Sequence, residues 1–174
     1  MRVKAAATVG GRAPRLAEHE ELARSLAVSA LDRRTRIADR IAEEIAGEVP
    51  QYLSTADAAV VLADVREHCD AQVQMFLASF VEGTPPQQLD LGFACEACTR
   101  RVGQGVSLPA ILHSFRIGQR VTWRAILQEA ERVPGGDAAA VLLVEPSLHY
   151  IDTMSTLLAE LSERIAAEIV GSHT

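Results

Sequence analysis

Apolar residues recur at three- and four-residue spacings from about Arg15 almost to the C-terminus, which predicts helices throughout. Leu22, Leu26 and Ala30 form one stripe, and Ile37, Ile41 and Ile45 form another. The register slips between them at Asp32 to Arg34, so two helices or one bent helix are expected, closed by Pro50. The third helix, with Thr55 as its expected N-cap, turns Leu62, Val65, Cys69, Val73, Phe76 and Phe80 inward and ends at Gly83-Thr84-Pro85-Pro86. A shorter helix places Leu91, Cys95, Cys98 and Val102 on one face and stops at Gly103 or Gly105. Ser107 is positioned to cap the next helix, with Pro109 tolerated in its first turn, and Pro134, Gly135 and Gly136 close it. The last helix is expected from near Asp137, with Pro146 either kinking it or marking its true start. The expected fold is an all-α bundle of five or six helices. Residues 1–14 read as a flexible tail and 15–170 as a single domain.

Composition narrows the function classes. The chain has 174 residues, 48% of them hydrophobic but only 4% aromatic, so alanine and leucine supply most of the apolar mass. That mix favours helices over sheets. A formal net charge of -6 is the wrong sign for a free-standing nucleic-acid binder. Neither a signal-peptide core nor an apolar run of the roughly 20 residues needed to span a bilayer is seen, so no membrane association is expected. Three cysteines do not suit a secreted disulfide scaffold, and the expected location is the cytoplasm.

The chain carries no Gly-x-Ser-x-Gly, phosphate-binding loop, His-Glu-x-x-His or acidic metal cluster. No catalytic residue, metal site or cofactor is expected. The Cys95-x-x-Cys98 pair has no second pair for zinc and no preceding strand for a thioredoxin-like site, so core packing is the leading reading, with redox sensing behind it. His113 lies at the edge of an apolar face, and no distal partner for a haem histidine is placed convincingly. Ile111, Phe115, Gly118 and Thr122 share a face of the long helix, with Trp123 beside it, and are candidates for a ligand pocket or a helix contact. Gly118 in mid-helix costs about 1 kcal/mol relative to alanine; close helix approach is the favoured offset and room for a ligand the other. Arg116, Arg120 and Arg124 line a face with four-residue spacing, and Asp152, Glu145 and Glu160 on the last helix are available partners, with Asp152 counted among the charged relay candidates. Ile151, Met154, Leu158, Leu161 and Ile165 form a 3-4-3-4 seam that serves a homodimer interface or the chain's own core.

Residues Gln104-Gly105-Val106-Ser107-Leu108 and Ile111-Leu112-His113-Ser114-Phe115-Arg116-Ile117-Gly118, after the arginine-rich helix end at Arg100-Arg101, resemble the N-terminal domain of PucR and carbohydrate-diacid-regulator-type transcription regulators, related by name to the input domain of RsbR-like stressosome proteins. Ile37 to Pro50 looks like that family's opening helix, and Tyr150-Ile151-Asp152 like its closing helix. The resemblance covers roughly Leu31 to Ile169. It implies a helical signal-input and dimerisation domain, with a globin-like arrangement lacking haem as one option, that relays ligand or partner binding through its last helix. DNA would be bound only by an output domain outside these residues. The rival readings are a stand-alone sensor for a small apolar, acyl-chain-like molecule and a purely structural dimer module.

Overall fold

The structure, a computed structural model, describes residues 12–84 and 92–171. Among them the regular elements are all helical: α1 (Arg12–Leu31), α2 (Arg34–Glu48), a 3-10 turn at Pro50–Tyr52, α3 (Ala58–Glu82), α4 (Gly92–Gly103), α5 (Leu108–Ala130), α6 (Gly136–Val141) and α7 (Val144–Gly171). Six long helices and the short α6 make the all-α bundle that the 3-4 spacing predicts. Among the described residues, no helix is long and apolar enough to cross a membrane. The expected tail lies mostly outside the described residues, and α1 already runs from Arg12.

The register slip at Asp32 to Arg34 is a break between two helices. The Arg33 N–H donates to the Ala30 carbonyl, closing α1 before α2 begins. The stripe Ile37, Ile41 and Ile45 is buried as expected. Ser107 caps α5, its hydroxyl accepting from the Ala110 N–H at 3.4 Å, with Pro109 in the first turn. Gly105, at φ 88°, supplies the left-handed stop after α4, where the Val106 N–H returns to the Arg101 carbonyl.

Three expectations are corrected. Thr55 does not cap α3; its hydroxyl donates to the Tyr52 carbonyl, and the helix starts three residues later at Ala58. The inward stripe of α3 accordingly starts at Val61, while Leu62 is half-buried. The final segment is two helices, and Pro146 sits in the first turn of an uninterrupted α7, where its missing N–H costs nothing. The break at Leu142–Leu143 precedes it.

The core forms where α3 meets the helices around it. Cys69, Val73, Phe76 and Leu77 of α3 join Ile41 and Ile45 of α2, Ile111 and Ile117 of α5, and Tyr150, Met154 and Leu158 of α7 in one cluster. Phe76 stands at the junction, its ring 4.8 Å from that of Tyr150 and 4.7 Å from that of Phe80. Met154, Leu158 and Leu161, three members of the proposed seam, are therefore buried within the chain's own bundle, along with Leu157. Ile151 is half-buried, and the Ile165 side chain lies outside the described residues.

Candidate functional site

A cavity of about 70 Å³ lies inside the bundle, walled by α2, α3, α4, α5 and α7 and by Tyr52 of the 3-10 turn. Its apolar wall is formed by Ile41, Ile45, Val73, Phe76, Met154 and Leu158. Its polar lining is unusual for a core: His68, Gln72, Arg101, Ser114, Gln119, Thr122 and Tyr150 all reach it. Ser114 and Thr122 are satisfied within α5, donating to the carbonyls of Ala110 at 2.9 Å and Gly118 at 2.8 Å.

Three groups are not satisfied. Among the described residues, Arg101 Nη2, Gln119 Oε1 and the Tyr150 hydroxyl are buried atoms without a hydrogen-bond partner at ordinary distance, although Gln72 lies beside the phenol. Arg101 is only 4% exposed and Tyr150 only 1%. Buried polar atoms are almost always paired, with protein or with ordered water, so three on one cavity wall mark it as a place that holds something polar. Burial pushes the Tyr150 phenol well above its ordinary range, although Gln72 beside it pulls the other way. The phenol stays protonated and can donate.

Arg101 owes its place to the end of α4. Ala94, Ala97, Cys98 and Arg101 are the buried residues of that helix, one helical stripe in which the last member is a cation. One edge of its guanidinium is used: Nη1 donates to Asp64 Oδ2 at 2.6 Å and to Gln104 Oε1 at 2.8 Å. Asp64 is shared with Arg100 at 3.2 Å, so two arginines face one carboxylate. The positive surplus is felt across the wall. His68, its ring tilted against that of Phe93 with centroids 5.3 Å apart, has its pKa lowered to about 4 by burial first and by Arg101 and Arg100 next, against an opposing pull from Asp64. It is a neutral imidazole at pH 7.

Cys69, Cys95 and Cys98 are free thiols, the first and last of them buried. Burial pushes the Cys69 thiol up to about 12 and the Cys98 thiol up to about 11, and it raises Cys95 as well. Thiolates are the reactive species, so burial works against reactivity at all three. Cys95 is only half-buried, because the inward face of α4 is turned toward Ala94, Ala97 and Arg101. Leu91 lies outside the described residues. Among the described residues, no group of three or more His, Cys, Asp or Glu side chains is placed to hold a metal ion.

Of the pocket candidates, Ile111, Phe115, Gly118 and Thr122 line the cavity, while Trp123 packs against the core elsewhere. Close helix approach at Gly118, the favoured reading, is not what the backbone shows. A Cβ built there would meet only Ile41 Cγ2, at 3.9 Å, an ordinary contact. The missing side chain leaves cavity space. The charged candidates are distributed differently from expectation. Arg120 and Arg124 reach α2, where Glu44 accepts from Arg120 at 2.9 Å and from Arg124 at 3.2 Å, and Glu48 also pairs with Arg120. They do not reach Asp152, which is exposed on α7, and Arg116 is exposed as well. His113 is also exposed, 3.7 Å from Glu48, and far from any haem-like setting.

Arg101, Tyr150, Gln119 and His68 were not among the candidates expected from sequence. A signal existed for Arg101: it continues the spacing of Ala94 and Cys98 on an otherwise apolar stripe. For Tyr150 and Gln119 none did, since their importance lies in which atoms are left without partners.

A family model described as "RsbT co-antagonist protein rsbRD N-terminal domain" matches residues 35–174, most of the chain. No curated protein and no solved structure matches.

Proposed function

Because the chain belongs to the RsbT co-antagonist protein rsbRD N-terminal domain family, we propose that it is a non-enzymatic signal-input domain whose central cavity is the sensing site and whose α7 is the output. The carrying observation is that Tyr150, Met154 and Leu158, all on α7, form part of the cavity wall. What fills the cavity therefore touches the output helix directly. A ligand shifts an equilibrium between packings only by binding one of them better, and a wall made by the moving element provides that difference. The finer reading is a cytoplasmic, PucR-like transcription regulator, dimeric, with DNA contacted by an output domain outside these residues.

A purely apolar, acyl-chain-like ligand fits less well. It would leave Arg101, Gln119 and Tyr150 unpaired in a dry site, at roughly 1–3 kcal/mol for each neutral group and more for the charged one.

The relay is tested by occupying the cavity covalently. Gly118→Met points a flexible side chain into free space, and the helix gains up to about 1 kcal/mol in propensity. The variant should stay folded. Hydrogen exchange across residues 150–161 should change by about threefold or more, while α1 stays unchanged. Identical exchange in α7 would overturn the proposal.

A further inference from the structure

Resting on the sensing-site reading above, we infer that the cavity takes a small monocarboxylate, of acetate-to-propionate size, whose carboxylate sits on the free edge of Arg101. Four observations converge. The first is the donor itself: Arg101 Nη2 is buried and unpartnered, while Nη1 is already committed to Asp64 and Gln104. A guanidinium edge is suited to a carboxylate oxygen, and a charge-assisted hydrogen bond is roughly twice as strong as a neutral one.

The second is charge. Asp64 is shared between Arg101 and the more exposed Arg100, so it compensates the buried Arg101 charge only in part, and an anion would complete the compensation. The third is the companion group. The protonated Tyr150 hydroxyl lies on the same cavity with Gln72 beside its oxygen, and its proton can be donated to a carboxylate oxygen. Gln119 adds another polar end, and its amide flip lets it accept or donate.

The fourth is size and lining. A dry cavity of about 150 Å³ accommodates benzene; this one, at about 70 Å³, has space for a few heavy atoms. Beyond the polar end lie Ile41, Phe76, Met154 and Leu158, which suit a methyl or ethyl group. A dicarboxylate would bury its second charge among them without a partner, at prohibitive cost.

The test uses the whole chain at pH 7 and constant ionic strength, with acetate and propionate as probes and acetamide and propionamide as uncharged controls. Titration followed by heteronuclear nuclear magnetic resonance should show saturable shifts at Gly118, Tyr150 and Met154 with the carboxylates. Affinity for the amides should be at least tenfold weaker. Arg101→Gln should lower propionate affinity at least tenfold, and Tyr150→Phe about threefold, with the fold verified by circular dichroism. The comparison of acid with amide needs no variant, so it decides even if Arg101→Gln fails to fold. Equal binding of acid and amide would overturn the carboxylate assignment while leaving the sensing site in place. Absence of any saturable binding, with only bulk salt shifts, would overturn the assignment as a site for buffer-sized ligands. The Gly118→Met exchange experiment judges the relay separately from either result.

Discussion

Leu158→Glu is expected to leave the chain unfolded, whereas Leu148→Glu is expected to leave it folded and monomeric. Leu158 is buried in the wall shared by α7 and the cavity. Truncating a buried leucine costs about 2–5 kcal/mol, and an unpaired buried carboxylate adds several more. Together these rival the whole stability of a typical domain, roughly 5–15 kcal/mol. Leu148, 60% exposed, lies earlier on the same helix, one turn from Val144 at 42%. If the protein is dimeric, this exposed apolar face of α7 suits the interface better than the buried seam does. Sedimentation velocity with urea titration separates the effects. A folded Leu158→Glu monomer would restore the seam as an interface, and a wild-type chain that is monomeric at high micromolar concentration would dispose of the dimer.

Acidification should destabilise the fold through His68. Its pKa in the folded chain, about 4, lies below the ordinary 6.5, because burial and the Arg101 and Arg100 charges oppose protonation. The unfolded chain therefore takes up this proton first as pH falls. The stability it confers is complete above about pH 6.5 and is lost progressively until about pH 4. From pH 7 to pH 5 the expected loss from this group alone is about 2 kcal/mol. His68→Gln keeps the site neutral at all pH values and should remove that part of the slope. Urea midpoints at pH 7, 6 and 5 measure it. Parallel pH dependences for the two proteins would mean that His68 titrates freely.

Much of the fold was legible because 3-4 periodicity and turn chemistry act locally. Ser107 and Pro109 start a helix, and Gly105 and Gly83 follow helix ends, where their backbone preferences require, and Ile37, Ile41 and Ile45 face inward as their spacing says. Faces shared among several helices were less legible. The Met154–Leu158–Leu161 stripe reads equally as a dimer seam or as core, since spacing does not say which neighbour covers it. The arginine ladder gave a correct face but a wrong partner: Arg120 and Arg124 meet Glu44 because α5 packs against α2, a tertiary fact absent from the local pattern.

The candidate site was half visible. Ile111, Phe115, Gly118 and Thr122 were placed on one face, and they do line the cavity. Its chemistry was not visible, because it comes from one orphaned atom on each of α4, α5 and α7. Residues 101, 119 and 150 are distant in sequence, and although the stripe of Ala94 and Cys98 points to Arg101, only packing brings it together with Gln119 and Tyr150. Arg100 remains half-exposed while Arg101 is enclosed, one position apart at the end of the same helix.

The central claim, that the state of the cavity sets the position of α7, is tested most directly by a distance measurement. Spin labels at Glu43→Cys on α2 and Ser155→Cys on α7, both exposed positions, in a Cys95→Ser background, report that separation by pulsed electron resonance. Cys69 and Cys98, buried with raised pKa values, should stay unlabelled. The account predicts that Gly118→Met, with the cavity filled, shifts or splits the distance distribution relative to the Gly118 protein. Superimposable distributions would contradict it.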